Sequence, residues 1–97
     1  MAEVRHSRRA RADLKRIWRF IALDNEAAAD RLLLRIGRRT EDLALFPQSG
    51  SPQDDVRPGM RMLVVAGYRI LYEYEATDDL VTVIAVVEPY RNVDEMF

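Results

Sequence analysis

Apolar residues recur at helical spacing through the first half of the chain and at strand spacing through the second. Ala10, Leu14, Ile17, Trp18 and Ile21 fall three or four residues apart, the stripe of a helix that buries one side. Arg9, Asp13, Lys15 and Arg16 lie outside that stripe, and Ser7 stands before it, where a hydroxyl can accept from an unsatisfied backbone N–H. Leu23-Asp24-Asn25 interrupts the pattern, and Asn25 can cap a second helix with Ala29, Leu32, Leu33, Ile36, Thr40 and Leu43 on one face. That helix should end at Phe46, because Pro47 disfavours helical geometry at the residue before it. So short a break folds the two helices into an antiparallel hairpin. Gly37, in the middle of the second helix, costs about 1 kcal/mol relative to alanine, and a close approach of the first helix is its expected reason. Trp18 reads as the anchor between helices and sheet.

Residues 2–6 form a brief strand, and residues 48–59, rich in Pro, Ser, Asp and Gly, have no hydrophobic period and read as a loop. From residue 60 the period changes to two. Residues 60–65 and 68–74 are strands joined by Ala66-Gly67, where glycine adopts positive φ without penalty. Tyr68, Ile70, Tyr72 and Tyr74 share one face, while Arg69, Leu71 and Glu73 share the other. Residues 80–87 are apolar on both faces and belong at the centre of the sheet. Residues 90–97 are a tail with room for a short helical turn. The expected fold is therefore α+β, in the order βααβββ. A helical hairpin packs on a curved, mostly antiparallel four-stranded sheet whose other face nothing obvious covers.

With 97 residues the chain makes one domain, residues 1–97, around a single core. It is 48% hydrophobic and 32% charged, a globular and not a disordered composition. Cysteine is absent and His6 is the single histidine. Thiolate ligation is thus excluded, a zinc site disfavoured and the usual general base missing, so neither metal nor cofactor is expected. His6 itself reads as an edge-strand residue. No stretch approaches the ~18 apolar residues of a membrane span, and the arginine-crowded N-terminus has no secretion-signal core. A cytoplasmic protein without membrane association is expected. Residues 1–46 carry eleven cations and seven anions, residues 47–97 four and nine. The helical half is thus basic and the sheet half acidic. Fourteen arginines against one lysine favour contacts made by the planar guanidinium fork.

Arg61 and Arg69 sit singly inside stretches that otherwise want to be buried, and a buried charge needs a partner. Around them runs a set of spaced motifs. They are Ser7-x-x-Ala10-x-x-Asp13-Leu14-x-x-Ile17, Asn25-x-x-Ala28-Ala29, Pro47-x-x-Gly50, Arg57-Pro58-Gly59-x-Arg61, Tyr68-Arg69-Ile70-Leu71-Tyr72 and a closing Arg91. In this order and at this length the chain resembles the ParE/RelE superfamily, the toxins of bacterial type II toxin–antitoxin systems. The long hairpin and the Arg-Pro-Gly-x-Arg turn point to its ParE branch. The resemblance implies a ParD-like antitoxin whose amphipathic C-terminal segment wraps the toxin in a hetero-oligomer, a heterotetramer or larger. It also implies a role in plasmid stabilization, with operator DNA met only through the antitoxin. ParE-like toxins are associated with poisoning of DNA gyrase, RelE-like toxins with ribosome-dependent mRNA cleavage, and one fold serves both.

Metal-free RNA cleavage needs a base for the 2′-hydroxyl, a cation for the transition state and a proton donor for the leaving oxygen. Arg61, Arg69 and Arg91 could supply the cation, and Glu88 or Tyr90 the proton transfer. Glu88 stands where many relatives that cleave RNA place a histidine, and a carboxylate opposes a bound polyanion. The expected function is therefore a non-enzymatic gyrase blocker. The alternatives are a RelE-like endoribonuclease and a non-toxic antitoxin-binding module. Tyr90, Arg91, Met96 and Phe97 are the expected target-binding residues, because the tail lies outside the core elements. Arg31, Arg35 and Arg38 are expected to pair with acidic antitoxin residues, and Met60 and Met62 to line an apolar groove for it or simply to fill the core. Plainer roles stand beside these: Arg69 paired with Glu73 or Glu88, Arg61 with Asp54 or Asp55, and Tyr68, Tyr72 and Tyr74 as packing rather than base-stacking platforms.

Overall fold

The computed structural model describes the backbone of residues 1–97 and every side chain except those of Glu95 and Met96. Strand β1 (Glu3–His6) leads into helices α1 (Arg8–Ala22) and α2 (Glu26–Glu41), and β2 (Ser51–Pro52), β3 (Met60–Val65), β4 (Tyr68–Glu75) and β5 (Leu80–Val87) follow. Both helices start where expected. The Ser7 side chain accepts from the Ala10 N–H and the Asn25 side chain from the Ala28 N–H, each at 3.0 Å. The fold is α+β, with the strands in one sheet ordered β1-β5-β4-β3-β2. β1 pairs with β5 in parallel, and the remaining neighbours are antiparallel. The sheet thus has five strands where four were expected. β2 is two residues long and pairs Ser51 with Met62 and Pro52 with Arg61, too short to show a period. Because β2 extends the far side, β4 takes the central place expected for β5. No helix among the described residues is long and apolar enough to cross a membrane.

β1 ends opposite Val83, four residues before β5 does. Ser7 and helix α1 complete the rest of that edge with side chains. The Ser7 hydroxyl donates to the Ile84 carbonyl at 2.7 Å, and the Val86 N–H donates to Asp13 Oδ2 at 3.0 Å. Pairing along β4 jumps from Leu71↔Ala85 to Tyr72↔Val83, a bulge that turns Val83 and Val86 to the same face.

Ala10, Ile17, Ile36 and Leu43 from the helical layer pack on Leu63, Val65, Ile70, Tyr72, Val81, Val83 and Val86. Trp18 is not the anchor of this core. It is half-buried at the outer seam of the hairpin, where its Nε1–H donates to Asp30 Oδ1 at 2.8 Å, while Ile17 fills the interior at 2% exposure. α2 stops at Glu41 and tightens into a 3-10 turn, Asp42–Ala44, leaving Phe46 64% exposed rather than packed as a last helical residue. Nothing lies within 4 Å of a Cβ built on Gly37, so no close approach of α1 accounts for that glycine.

The second face of the sheet is not bare. Met60, Leu71, Ala85 and Val87 form a smaller core there, covered by Val56 from the long loop and Val93 from the C-terminal 3-10 turn (Val93–Met96). Met60 is fully buried in it and Met62 packs at its margin, which excludes Met60 from any open groove. Val93 makes the tail part of the core, against the expectation that it lies outside.

The Pro47-x-x-Gly50 motif has a packing reason. The Gly50 N–H donates to the Tyr72 hydroxyl at 2.8 Å in the interior, and a Cβ on Gly50 would lie 2.6 Å from that ring. Tyr72→Phe should cost about 1–3 kcal/mol by stranding the Gly50 donor. Gly50→Ala should cost more, since it also forces the ring to move. Urea unfolding of both variants checks this, and equal stability of Gly50→Ala and wild type would refute it. Trp18→Ala should cost about 1–2 kcal/mol, the sum of one hydrogen bond and partial burial, and not the ~3–5 kcal/mol of a fully buried aromatic.

Candidate functional site

Asp13 and Arg16 lie one turn apart on α1 and so face the same way. Asp13 is 3% exposed, since it serves the edge of β5. Its Oδ1 accepts from Arg16 Nη1 at 2.7 Å. The rest of the Arg16 fork reaches just past β5, where Nε and Nη2 donate to the two carboxylate oxygens of Glu88 at 3.2 and 2.9 Å. Planar guanidinium and carboxylate match in such a two-point contact. Burial pushes the Glu88 carboxyl up, but the hydrogen bonds from Arg16 outweigh it and hold the group below its ordinary range. The bond to Glu88 in turn raises Arg16, with Asp13 adding to it. Tyr68 is raised by burial and then by the Glu88 charge.

This ion pair floors a cleft of about 170 Å³, walled by Phe20, Tyr68, Tyr90 and Arg91. Phe20 and Tyr90 are 69% and 75% exposed, and the Tyr90 hydroxyl donates to Glu88 Oε2 at 3.3 Å. Arg69 enters from β4. Its Nη2 donates to the carbonyls of Glu88, at 2.7 Å, and of Arg91, while its Nε is buried without a partner. Arg69 therefore pairs with neither the Glu73 nor the Glu88 carboxylate. Arg57 holds Glu73 at 3.1 Å and Arg16 holds Glu88.

Three of the residues expected for chemistry, Glu88, Tyr90 and Arg91, thus line one cleft, and Arg69 holds the turn that carries them. Arg61 does not join them. Its Nη1 donates to the carbonyls of Gln48 and Gly50 at 3.0 and 2.8 Å, and Asp54 instead accepts from the Gly59 N–H at 2.9 Å. Tyr68, Ile70, Tyr72 and Tyr74 all pack with the helix-side core, as their spacing suggested. Phe97 lies against the Arg9 guanidinium, 4.9 Å from its ring centroid, and the Met96 side chain lies outside the described residues. Arg31, Arg35 and Arg38 surround the exposed Leu34 on the outer face of α2. Met60 and Met62 belong to the core on the face of the sheet away from the helices, so the residues expected to meet the antitoxin do not form one surface. Among the described residues no group of His, Asp and Glu could hold a metal.

The spacing-based reading missed Asp13, Arg16 and Phe20. Asp13 lies within the Ser7-x-x-Ala10-x-x-Asp13 motif, and the one signal for Arg16 was its position three residues further on.

A family model described as the ParE toxin of type II toxin–antitoxin systems, parDE, matches residues 4–88. Toxin ParE3 of Caulobacter vibrioides is 29% identical over 94 residues, covering 96% of this chain and 92% of that one. The DNA mismatch repair protein MutS 1 of Haloarcula marismortui is 36% identical over 53 residues, 55% of this chain, and the chain spans 6% of its length. Among solved structures, the chromosomal ParDE system of P. aeruginosa has a TM-score of 0.74 at 18% identity, over 91% of this chain and 96% of that one. The intact E. coli RelBE toxin–antitoxin complex has a TM-score of 0.67 at 14% identity, over 94% of this chain and 100% of that one. At those identities the likeness is one of fold.

The Glu88 contacts set a pH dependence. Its pKa is lower folded than unfolded, where it is about 4.3, so its contribution is fully present above that value and is lost as pH falls through the folded one. Glu88→Gln should cost about 1–3 kcal/mol at pH 7 and should flatten the fall in stability below about pH 4.5. Denaturant unfolding from pH 3 to 7 measures this, and parallel profiles for variant and wild type would contradict it.

Proposed function

The chain belongs to the ParE family of toxins of type II toxin–antitoxin systems, and on that premise we propose that it is a binding toxin that inhibits DNA gyrase in the cytoplasm and is silenced by a cognate antitoxin. The observation that carries the binding mode is the occupation of Arg69 and Glu88. A nuclease would leave the first free for a phosphate and the second free for a proton. Here Arg69 grips two main-chain carbonyls, and Glu88 is held ionised by Arg16. Arg61 is likewise bound to carbonyls. With Glu88 committed to Arg16, the cleft is a shaped surface better suited to contact than to proton transfer. Tyr90 and Arg91, both exposed on its wall, are the proposed target contacts, with Phe97 beside Arg9 as a further candidate.

The antitoxin reading draws on the ParDE system and the RelBE complex among the structural neighbours. We assign it the outer face of α2, where Arg31, Arg35 and Arg38 ring Leu34 and complement an acidic segment with an apolar residue at its centre. The product is a hetero-oligomer that meets operator DNA through the antitoxin.

Purified toxin should inhibit gyrase supercoiling and leave ribosome-bound mRNA uncut. Reversing Arg31, Arg35 and Arg38 to glutamate should weaken antitoxin capture at least about tenfold without reducing inhibition of gyrase. Codon-specific mRNA cleavage that disappears in Arg69→Ala would replace this reading with the endoribonuclease. Loss of neither gyrase activity nor message would leave an inert antitoxin-binding module.

A further inference from the structure

Residues 88–91 form a turn held by several contacts, yet its Tyr90 side chain joins neither core. The Arg91 N–H closes it on the Glu88 carbonyl at 3.1 Å, and Pro89 fixes φ at its second position. Arg69 Nη2 grips both ends, the carbonyls of Glu88 and Arg91. Behind the turn stands Gly67, where a Cβ would lie 3.2 Å from Pro89 Cγ. The Glu88 carboxylate is fixed by Arg16, and the Tyr90 hydroxyl leans on it. Against all this order, Tyr90 is 75% exposed and Arg91 is exposed beside it.

We propose that residues 88–91 are a preorganised recognition knob for the protein target and that Arg69 is its positioning residue. This rests on the reading of the chain as a binding toxin. Tyrosine and arginine dominate the energetics of protein interfaces, and a contact already fixed in its bound shape loses less freedom on association. The buried, unpartnered Nε of Arg69 supports the assignment. A stranded buried donor is rare in folded proteins, and here it accompanies a guanidinium turned so that Nη2 bridges the turn. The tail makes a poorer knob, since Val93 is buried and Phe97 lies against Arg9. The cleft between Phe20, Tyr68 and Tyr90 has room for an apolar side chain, and Arg91 on its wall suits a carboxylate. The target segment should therefore carry an apolar residue next to an acidic one.

The test uses the full-length toxin and Arg69→Gln, with Arg69→Lys as a second variant that keeps the charge and can reach one carbonyl. Amide exchange followed by NMR should show the Arg91 N–H exchanging at least about tenfold faster in Arg69→Gln, while β4 and β5 keep their protection. Lysine should give an intermediate rate. In gyrase supercoiling assays, Arg69→Gln and Tyr90→Ala should each raise the half-inhibitory concentration about tenfold or more. The double variant should lose less than the two single losses combined, because Arg69 acts through the turn that carries Tyr90. A general loss of stability would instead add to the Tyr90 effect. Unchanged Arg91 exchange, full potency of Arg69→Gln or additive losses would each overturn the proposal. If the wild type fails to inhibit supercoiling, the gyrase reading falls while the exchange data still decide whether Arg69 holds the turn.

Discussion

A strand edge finished by side chains is the constraint on which the rest of this structure depends. β1 is too short to pair with the whole of β5, and unpaired backbone groups at a buried edge are costly. Ser7 and Asp13 supply the missing partners, which fixes the register of α1 on the sheet. Once Asp13 is committed, Arg16 one turn later is drawn beside it and extends to Glu88. The cleft therefore inherits its geometry from an edge-capping problem several residues away.

Arginine solves several such problems here. Arg16 joins two carboxylates, Arg61 two carbonyls of the loop before β2, and Arg69 two carbonyls of the turn after β5. In each case one guanidinium fastens segments distant in sequence, a task for which the lysine ammonium lacks the planar fork. The abundance of arginine over lysine is in part structural. Arg61 and Arg69, two of the three residues that resemble a nuclease's cations in sequence, are here bonded to main-chain carbonyls.

Much of the fold was legible because helical and strand periods differ and the caps are good. Ser7, Asn25 and the Ala66-Gly67 turn mark ends that the structure keeps, the last with φ of 51° and 83°. What stayed hidden has physical reasons. β2 is two residues long, and the bulge in β5 is invisible in a run that is apolar at nearly every position. Trp18 sits at the edge of its stripe, where spacing cannot tell a core position from a seam between helices. Asp13 is polar yet buried because of a neighbour 73 residues away, which no local pattern contains. Of the cleft residues, Glu88, Tyr90 and Arg91 stand out in the sequence, but Arg16, Phe20 and the partners of all of them do not. Arginine bonded to main-chain carbonyls leaves no complementary residue to search for.

The parallel pairing of β1 with β5 also fixes a moment in the life of the chain. The first strand to leave the ribosome has no partner in the sheet until the last strand has been made, and α1 cannot settle its Ser7 and Asp13 contacts before then. Contacts so distant in sequence form slowly. The helical hairpin, being local, can form early, whereas the cleft and the turn after β5 take shape only once β5 has been made. The outer helical face is thus complete before the cleft exists, an order of events set by the topology alone.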